Sequence, residues 1–180
     1  MVDPASGESV KRGEQGEIWV RGAIVMRGYL GRTAETAATI DPDGWLHTGD
    51  VGYVDEDGDT FIVDRVKELI KYKGLQVAPA ELEAILLGHP AVADVAVIPS
   101  PDEEAGEVPK AFVVVKTPTP AEEIMAFVAA RVAPHKRIRK VQFTDAIPKS
   151  ASGKILRRAL IEAERANAAD AASATAPAST

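Results

Sequence analysis

The sequence predicts an α+β protein in which a small β subdomain is followed by a compact α+β domain. Residues 16–63 combine alternating apolar and polar positions with turns rich in Gly and Asp, a pattern typical of short antiparallel strands. After Gly74 the apolar spacing changes repeatedly, in the order helix, strand, strand, helix, strand, helix. A hydrophobic content of 46% over 180 residues is sufficient for a packed core.

The first part, residues 1–64, is expected to contain short strands joined by turns. Thr33 is the expected N-cap of its one helix, because a threonine hydroxyl can accept a hydrogen bond from a first-turn N–H. The predicted elements are, in order, a strand (16–22), a short helix (33–39), a turn (41–44), a strand (45–47) and a hairpin (51–63).

The second part, residues 65–166, is expected to form the compact α+β domain. Pro134 is expected to end its second helix, and the acid- and proline-rich residues 99–109 are expected to form a loop. The predicted elements are a helix (79–88), strands (92–98 and 111–115), a helix (120–132), a strand (138–143) and a last helix to about Ala166. Residues 167–180, which are mostly Ala, Ser, Thr and Pro, are expected to be a disordered tail.

Composition excludes several classes of function. The chain has no cysteine, which excludes a disulfide framework, a thiol nucleophile and a thiolate metal site. A formal net charge of −6 argues against nonspecific nucleic-acid binding. No apolar run approaches the roughly 18 residues of a membrane span, and residues 1–16 lack the apolar centre of a signal peptide, so a cytoplasmic protein is expected.

Several short stretches allow more than one interpretation. Asp50, which follows Thr48 and Gly49, can accept hydrogen bonds from a diol such as a ribose, but the three residues also suit a structural turn. The cationic residues 65–73 either form a solvated face or direct some cations inward at phosphate. The acidic residues 55–59 fit a hairpin turn better than a calcium loop, because glycine falls inside the acidic run. The histidines lack zinc-ligand spacing, so no metal site is expected.

The stretch PKSASGKILRR, residues 148–158, places Lys154 in a loop of small residues directly before a helix. We expect a mobile loop with Lys154 at its tip, beside a helix anchored by apolar residues at helical spacing, namely Ile155, Leu156, Leu160 and Ile161. The stretch is not a phosphate-binding P-loop, because Pro148 and Ile155 occupy positions where that motif has glycine and Ser or Thr. An isolated Gly-Lys pair is also common on ordinary protein surfaces.

Taken together and in order, these stretches resemble the acyl-adenylate-forming enzymes, the AMP-dependent synthetase and ligase family. The resemblance rests on GEIWVRG (16–22), MRGYL (26–30), GWLHTGDVG (44–52), DRVKELIKYKGLQVAPAELE (64–83) and residues 148–158. The fourth and longest of these stretches is similar to the family's hinge segment. The amino-acid sequences of these motifs most resemble those of the 4-coumarate–CoA ligase and fatty acyl-CoA synthetase branch. The resemblance extends from about residue 2 to residue 165.

The resemblance implies a reaction in two halves. A carboxylate attacks the α-phosphate of ATP, which gives an acyl-adenylate and pyrophosphate, and the thiolate of coenzyme A then displaces AMP. The implied cofactors are ATP or AMP, CoA, and Mg²⁺ carried with ATP by ligands that this chain does not contain. The implied partners are a carboxylic acid, CoA and the rest of the enzyme.

The resemblance also implies roles in the first half-reaction. Asp50 would accept the ribose hydroxyls, and Arg65 would assist there. Lys154 would bridge the carboxylate and the α-phosphate as charge develops. Lysines of this last motif are acetylation targets in the family, and acetylation would remove the charge that the step requires.

Other residues are implied in the change between half-reactions. Asp64 and Lys67 would lie at the hinge about which the C-terminal domain rotates. The rotation would withdraw Lys154 and bring Lys71 towards the thioester site, where Gly74 would leave room for the pantetheine arm.

Family members are much longer than this chain, which lacks their upstream phosphate loop, adenine site and acyl pocket. We therefore expect the C-terminal portion of an acyl-CoA ligase, from a truncated or split reading frame. The alternative is a non-catalytic module that pairs with an N-terminal partner chain, or an inert remnant. In either case residues 16–63 are expected to expose an apolar face.

Overall fold

The computed structural model describes residues 1–174, with side chains through residue 166. These residues form two compact units, one of Met1–Lys67 and one that begins at Glu68. Within the described chain no helix is both long and apolar enough to cross a membrane.

The first unit is built on a three-stranded antiparallel sheet. Its strands lie in the order β1 (Gly16–Val20), β2 (Leu46–Val54) and β3 (Thr60–Arg65). The predicted hairpin is present, and its turn is closed by the Asp55 carboxylate, which accepts the N–H groups of Asp57 and Asp59 at 3.1 and 2.9 Å. The acidic run is therefore a hairpin turn, as expected.

The helix of the first unit, α1 (Thr33–Thr39), begins and ends where the sequence predicts, but Thr33 is not its cap. Arg32 holds the N-cap position, and no side chain caps the helix. The hydroxyl of Thr36 instead donates to the Arg32 carbonyl and accepts the N–H of Tyr29, at 2.7 and 2.9 Å. A hydroxyl inside the helix therefore ties the preceding turn to the first helical turn.

The first unit has a small core and many exposed apolar side chains. Among its residues, Val2 and Val51 are the buried apolar ones. Leu30 and Ile24 are 102% and 89% exposed, and four further large side chains are open to solvent: Met26, Tyr29, Phe61 and Ile62. The first unit therefore exposes apolar side chains, as expected, but Phe61 and Ile62 are successive residues of β3 and point to opposite faces of its sheet.

The second unit is built on a five-stranded sheet. Its elements are β4 (Ile70–Tyr72), β5 (Leu75–Val77), α2 (Pro79–Leu87), β6 (Val92–Asp102), β7 (Gly106–Val115), α3 (Ala121–Ala129), β8 (Lys140–Phe143) and α4 (Arg157–Ala174). The strands lie in the order β5-β4-β7-β6, and β8 pairs in parallel with β7. Because β6 pairs along the whole length of β7, β4 and β8 share the opposite edge of β7.

Helices cover both faces of this sheet. Along β6, Val95 and Val97 point into a core with α2 and α3, whereas Ala96 and Ile98 point into a second core with α4. This is the period of two that a strand imposes on its side chains. The side chains of α2 and α3 in the first core are Leu82, Leu86, Ile124 and Val128, and none of them is exposed.

The prediction of a loop at residues 99–109 is wrong. β6 and β7 continue through most of it as a hairpin, with Pro99 opposite Pro109 and Asp102 opposite Gly106. Two prolines can face each other at a pair that requires no N–H donor, so their presence does not end the strands. The short turn between the strands is closed by the Asp102 carboxylate.

Both later helices differ in length from the expectation. α3 ends at Ala129, and Pro134 begins a short 3₁₀ turn instead of ending the helix. α4 continues past Ala166 to Ala174, because alanine is the strongest helix former. The expected disorder therefore does not apply to residues 167–174, and residues 175–180 lie outside the described residues.

Candidate functional site

Asp50 and Arg65 form an ion pair in the first unit. They are cross-strand partners on β2 and β3, and Nε of Arg65 lies 3.0 Å from Oδ1 of Asp50. The Asp50 side chain is 27% exposed, so its carboxylate has room to accept hydrogen bonds from outside the chain. The antiparallel register places these two residues side by side although they are distant in sequence.

The segment before Asp50 is held in place by side chains. The Thr48 hydroxyl donates to the Ile18 carbonyl and accepts the N–H of Asp50, at 2.8 and 3.1 Å. Gly49 has a φ of +74°, which favours glycine. The turn-like geometry and the ion pair coexist here, so the structural and ligand-binding interpretations are compatible.

Glu17 is a supporting residue that the sequence analysis missed. It is 8% exposed, accepts the N–H of Gly49 at 2.9 Å through Oε1, and accepts the indole N–H of Trp19 at 2.9 Å through Oε2. The only sequence signal was an acidic residue inside a predicted strand, which alone does not indicate a buried partner.

Asp64 and Lys67 lie at the end of the first unit. Asp64 is buried, and its carboxylate accepts the N–H of Arg65 at 2.8 Å. Lys67 is exposed in a 3₁₀ turn, and the boundary between the two compact units falls directly after it.

Lys71 and Gly74 lie on the β4–β5 hairpin of the second unit. The two residues of its turn, Lys73 and Gly74, have φ values of +48° and +81°, as in the tight turns that suit antiparallel strands. A Cβ atom on Gly74 would contact none of the described residues, so the backbone conformation of Gly74 explains the glycine here. The Lys71 side chain is exposed, and the backbone N–H of Lys71 donates to Oε2 of Glu107 at 2.8 Å.

The cationic segment, residues 65–73, combines buried apolar side chains with exposed lysines. Leu69 and Ile70 are buried in the second unit, whereas Lys67, Lys71 and Lys73 are exposed. Lys73 pairs with Glu104, and that hydrogen bond raises the pKa of the Lys73 ammonium. The apolar residues therefore anchor the segment, and the cations face solvent.

The Lys154 loop is a hydrogen-bonded turn. Ser150 donates its N–H to the Lys154 carbonyl at 2.8 Å, and its hydroxyl accepts the Lys154 N–H at 3.1 Å. Lys149 and Ile155 form a β-bridge at the base of the turn. Lys154 therefore lies on the returning limb and not at the tip. Its side chain is exposed, and its ammonium makes no hydrogen bond or ion pair within the described residues.

The anchoring of the following helix is confirmed with one exception. Ile155, Leu160 and Ile161 pack against the core on the α4 face of the sheet. Leu156 is 44% exposed and does not take part, because α4 begins only at Arg157 and the residue before it points to solvent.

Comparisons with known proteins show the family to which this chain is related. Residues 81–154 match the family model "AMP-binding enzyme C-terminal domain", a match that ends on Lys154. The chain is also 62% identical over 162 residues to 4-coumarate–CoA ligase-like 1 of Arabidopsis thaliana. The chain corresponds to the C-terminal portion of an acyl-adenylate-forming enzyme.

Other relatives of this adenylate-forming family agree. The chain is 58% identical over 160 residues to the 4-coumarate–CoA ligase of Pinus taeda. The matches cover 89% of this chain but 30% of the Arabidopsis and pine proteins, so the chain spans less than a third of the length of these relatives. The o-succinylbenzoate CoA synthetase of Bacillus subtilis, solved with an acyl-adenylate intermediate, matches with a TM-score of 0.75 and 39% identity. That match covers 86% of this chain and 32% of the Bacillus chain.

The site residues are divided between the units. Asp50, Asp64, Arg65 and Lys67 belong to the first, and Lys71, Gly74 and Lys154 belong to the second. In the part of the chain that the structure describes, no three His, Cys, Asp or Glu side chains come together in a group that could hold a metal ion.

Proposed function

We propose that this chain supplies the adenylation lysine and the hinge of an ATP-dependent acyl-CoA ligase. The observation that carries the proposal is the Lys154 ammonium, exposed on an ordered turn at the end of the matched family segment and without a partner among the described residues. A lysine whose charge is not neutralised by its own chain is available to an external anion.

In the first half-reaction, an oxygen of the carboxylic acid attacks the α-phosphorus of ATP, and pyrophosphate leaves with the bonding electrons. Negative charge accumulates on the phosphate oxygens in the transition state. The Lys154 ammonium has three donors, so it can contact a carboxylate oxygen and a phosphate oxygen together. Lys154 thereby stabilises the transition state by placing positive charge where negative charge develops.

Asp50 takes the ribose of the nucleotide. One of its carboxylate oxygens is held by Arg65 at 3.0 Å, and a carboxylate retains further lone pairs for the two ribose hydroxyls. The Arg65 side chain is 59% exposed and can reach the same ligand. The ion pair with Arg65 orients the Asp50 carboxylate.

In the second half-reaction, the CoA thiolate attacks the acyl carbonyl carbon, and AMP leaves. Lys71 and Gly74 contribute through the β4–β5 hairpin, whose turn borders open space at Gly74. Asp64 and Lys67 serve as the hinge, which agrees with the unit boundary directly after Lys67.

Mg²⁺ would accompany ATP with ligands outside this chain. Among the described residues, no three His, Cys, Asp or Glu side chains come together in one group. No step assigned to this chain depends on the ion. We expect the remaining binding surfaces for ATP, CoA and the carboxylic acid to lie in a part of the enzyme that this chain does not span.

A second candidate is a module that acts only through an N-terminal partner chain. The exposed apolar side chains of the first unit favour this candidate, since Ile24 and Leu30 are almost fully open and Ile62 is 68% exposed. Where exposed apolar side chains form a large contiguous patch, they mark a site of protein contact.

A chimera tests the proposal. This chain replaces the matching C-terminal portion of the pine 4-coumarate–CoA ligase, and pyrophosphate release is measured with 4-coumarate and ATP. We expect Lys154→Ala to lower the rate of adenylate formation about 100-fold, because one preorganised charge-stabilising group typically contributes that much. Conversion of supplied acyl-adenylate and CoA to thioester is expected to be unchanged.

Lys116→Ala is the matched control, since Lys116 is also an exposed lysine of the second unit and makes no side-chain ion pair among the described residues. An unchanged rate in Lys154→Ala would show that the role given to Lys154 is wrong. Pyrophosphate release by this chain alone would show that the chain is sufficient for adenylate formation, which would contradict the expectation that it is only a portion of the enzyme. An inactive chimera, together with measurable binding of the separate pine N-terminal portion, would support the non-catalytic module.

A further inference from the structure

Arg157 lies three residues after Lys154 and begins α4. Its side chain is 13% exposed and contacts two carboxylates. Nη1 pairs with Glu68, and Nη2 lies 2.5 Å from Oε2 of Glu83. A planar guanidinium can serve two carboxylates at once in a fixed geometry, which a lysine ammonium cannot reproduce.

The two carboxylates belong to different parts of the second unit. Glu68 is its first residue and directly follows Lys67 of the proposed hinge. Glu83 lies on α2, is 7% exposed, and accepts the N–H of Val97 on β6 at 2.8 Å through Oε1. The Arg157 guanidinium therefore joins the start of α4 to the hinge-proximal residue, to α2 and, through Glu83, to the sheet.

The other end of the Lys154 turn is held as well. Nζ of Lys149 lies 2.6 Å from Oδ2 of Asp94 on β6. The turn itself is closed by backbone hydrogen bonds. The Leu156 N–H donates to the Pro148 carbonyl at 2.9 Å, and the Gly153 N–H donates to the Ser150 carbonyl at 2.9 Å. The turn is thus closed internally and attached to the sheet at both ends.

We propose that Arg157 is a positioning residue for Lys154. By clamping the start of α4 to Glu68 and Glu83, it makes the Lys154 turn rigid with respect to the residue that follows the hinge. Lys154 is then delivered and withdrawn by movement of the whole second unit, and not by movement of its loop. This inference rests on the adenylation role proposed for Lys154.

Hydrogen–deuterium exchange on the full chain tests the clamp itself. In Arg157→Lys and in Glu68→Gln, we expect the amides of Gly153, Lys154 and Leu156 to exchange about tenfold faster than in the unmodified chain, because a charge-assisted contact is lost. Exchange of core amides such as that of Val113 is expected to be unchanged. Glu68→Gln retains the contact of Arg157 with Glu83, so it remains informative if Arg157→Lys folds poorly.

Arg158→Lys is the matched control. Arg158 has the same chemistry and lies next in the chain, but its side chain is 92% exposed and pairs with the exposed Glu162. Exchange of the turn amides in this variant is expected to equal that of the unmodified chain. Equal exchange in Arg157→Lys, Glu68→Gln and the control would overturn the clamp.

Kinetics in the pine chimera test the consequence. We expect Arg157→Lys and Glu68→Gln to lower kcat for adenylate formation about tenfold, with the KM for ATP and the rate of thioester formation from supplied acyl-adenylate unchanged. A general loss of folding would lower both half-reactions together, so the split separates positioning from stability.

The outcomes for the two proposals are distinguishable. If Lys154→Ala leaves adenylation unchanged, the proposed function of Lys154 fails, whereas the exchange measurement still decides whether the clamp exists. If Lys154→Ala is damaging but neither clamp variant alters exchange or adenylation, the inference about Arg157 fails alone.

Discussion

At the scale of single residues, buried ion pairs attach α4 to the sheet. Glu164 is 7% exposed; it accepts the Ser100 hydroxyl at 2.7 Å and pairs with Lys110. Lys140 donates to the same Ser100 hydroxyl oxygen at 2.9 Å. Burial by itself raises the pKa of Glu164, but the hydrogen bonds from Lys110 and Ser100 and the nearby positive charges outweigh it, so the pKa lies below its ordinary value of 4.5.

This carboxylate should make stability dependent on acid. The pKa of Glu164 is lower in the folded chain than in the unfolded chain. At a pH between these two pKa values, the unfolded chain therefore binds more protons than the folded chain does. The stabilisation is therefore present above about pH 4.5 and is lost as pH falls through the folded-state pKa. Urea midpoints measured across this range should fall less steeply in Glu164→Gln than in the unmodified chain.

Glu162→Gln is the control for this titration, since Glu162 is exposed on the same helix and pairs with exposed Arg158. Its pH dependence should resemble that of the unmodified chain. A Glu164→Gln variant with an unaltered pH profile would contradict the assignment.

At the scale of elements, the sheet of the second unit is stabilised by apolar side chains on both of its faces. α2 presents Leu82 and Leu86 to one core, and neither is exposed, whereas Leu87 on the same helix is 53% exposed. The same residue type on one helix thus occurs in a packed and in an open environment.

The two environments predict different costs of truncation. We expect Leu82→Ala to lower the free energy of unfolding by about 3 kcal/mol, since it removes buried apolar contacts and leaves a cavity. Leu87→Ala should change it by no more than about 0.5 kcal/mol. Urea titration followed by circular dichroism measures both, and similar losses in the two variants would show that α2 does not pack as described.

At the scale of the whole molecule, the two units are unequally stabilised. The first buries Val2 and Val51 as its apolar residues, whereas the second contains two apolar cores. Small domains with little buried apolar area are marginally stable. The first unit is also where the large exposed apolar side chains Ile24 and Leu30 lie.

We therefore expect two unfolding transitions. Both tryptophans, Trp19 and Trp45, lie in the first unit, so fluorescence reports on that unit. The longer helices lie in the second unit, so far-ultraviolet circular dichroism reports mainly on that unit. The fluorescence transition should have its midpoint at a lower urea concentration. Coincident transitions would indicate a single cooperative unit and would contradict this expectation.

Local patterns in the sequence were sufficient for much of this protein. Apolar periodicity and turn residues predicted the α+β class, α1, α2 and the hairpin of the first unit, because these elements follow from short-range spacing. Resemblance of ordered motifs predicted the adenylate-forming family. The same local patterns failed at residues 99–109, where proline and acidic residues suggested a loop but pairing with the opposite strand extends the hairpin.

Only the tertiary structure decided how the candidate residues are held. The sequence predicted Asp50, Arg65 and Lys154 as candidate site residues from their places in motifs that resemble those of the family. Strand register brings Asp50 to Arg65. Folding of α4 onto the sheet brings Arg157 to two carboxylates that precede it by 74 and 89 positions. Contacts between residues so far apart in the chain depend on where whole elements pack, which local propensity and spacing do not encode.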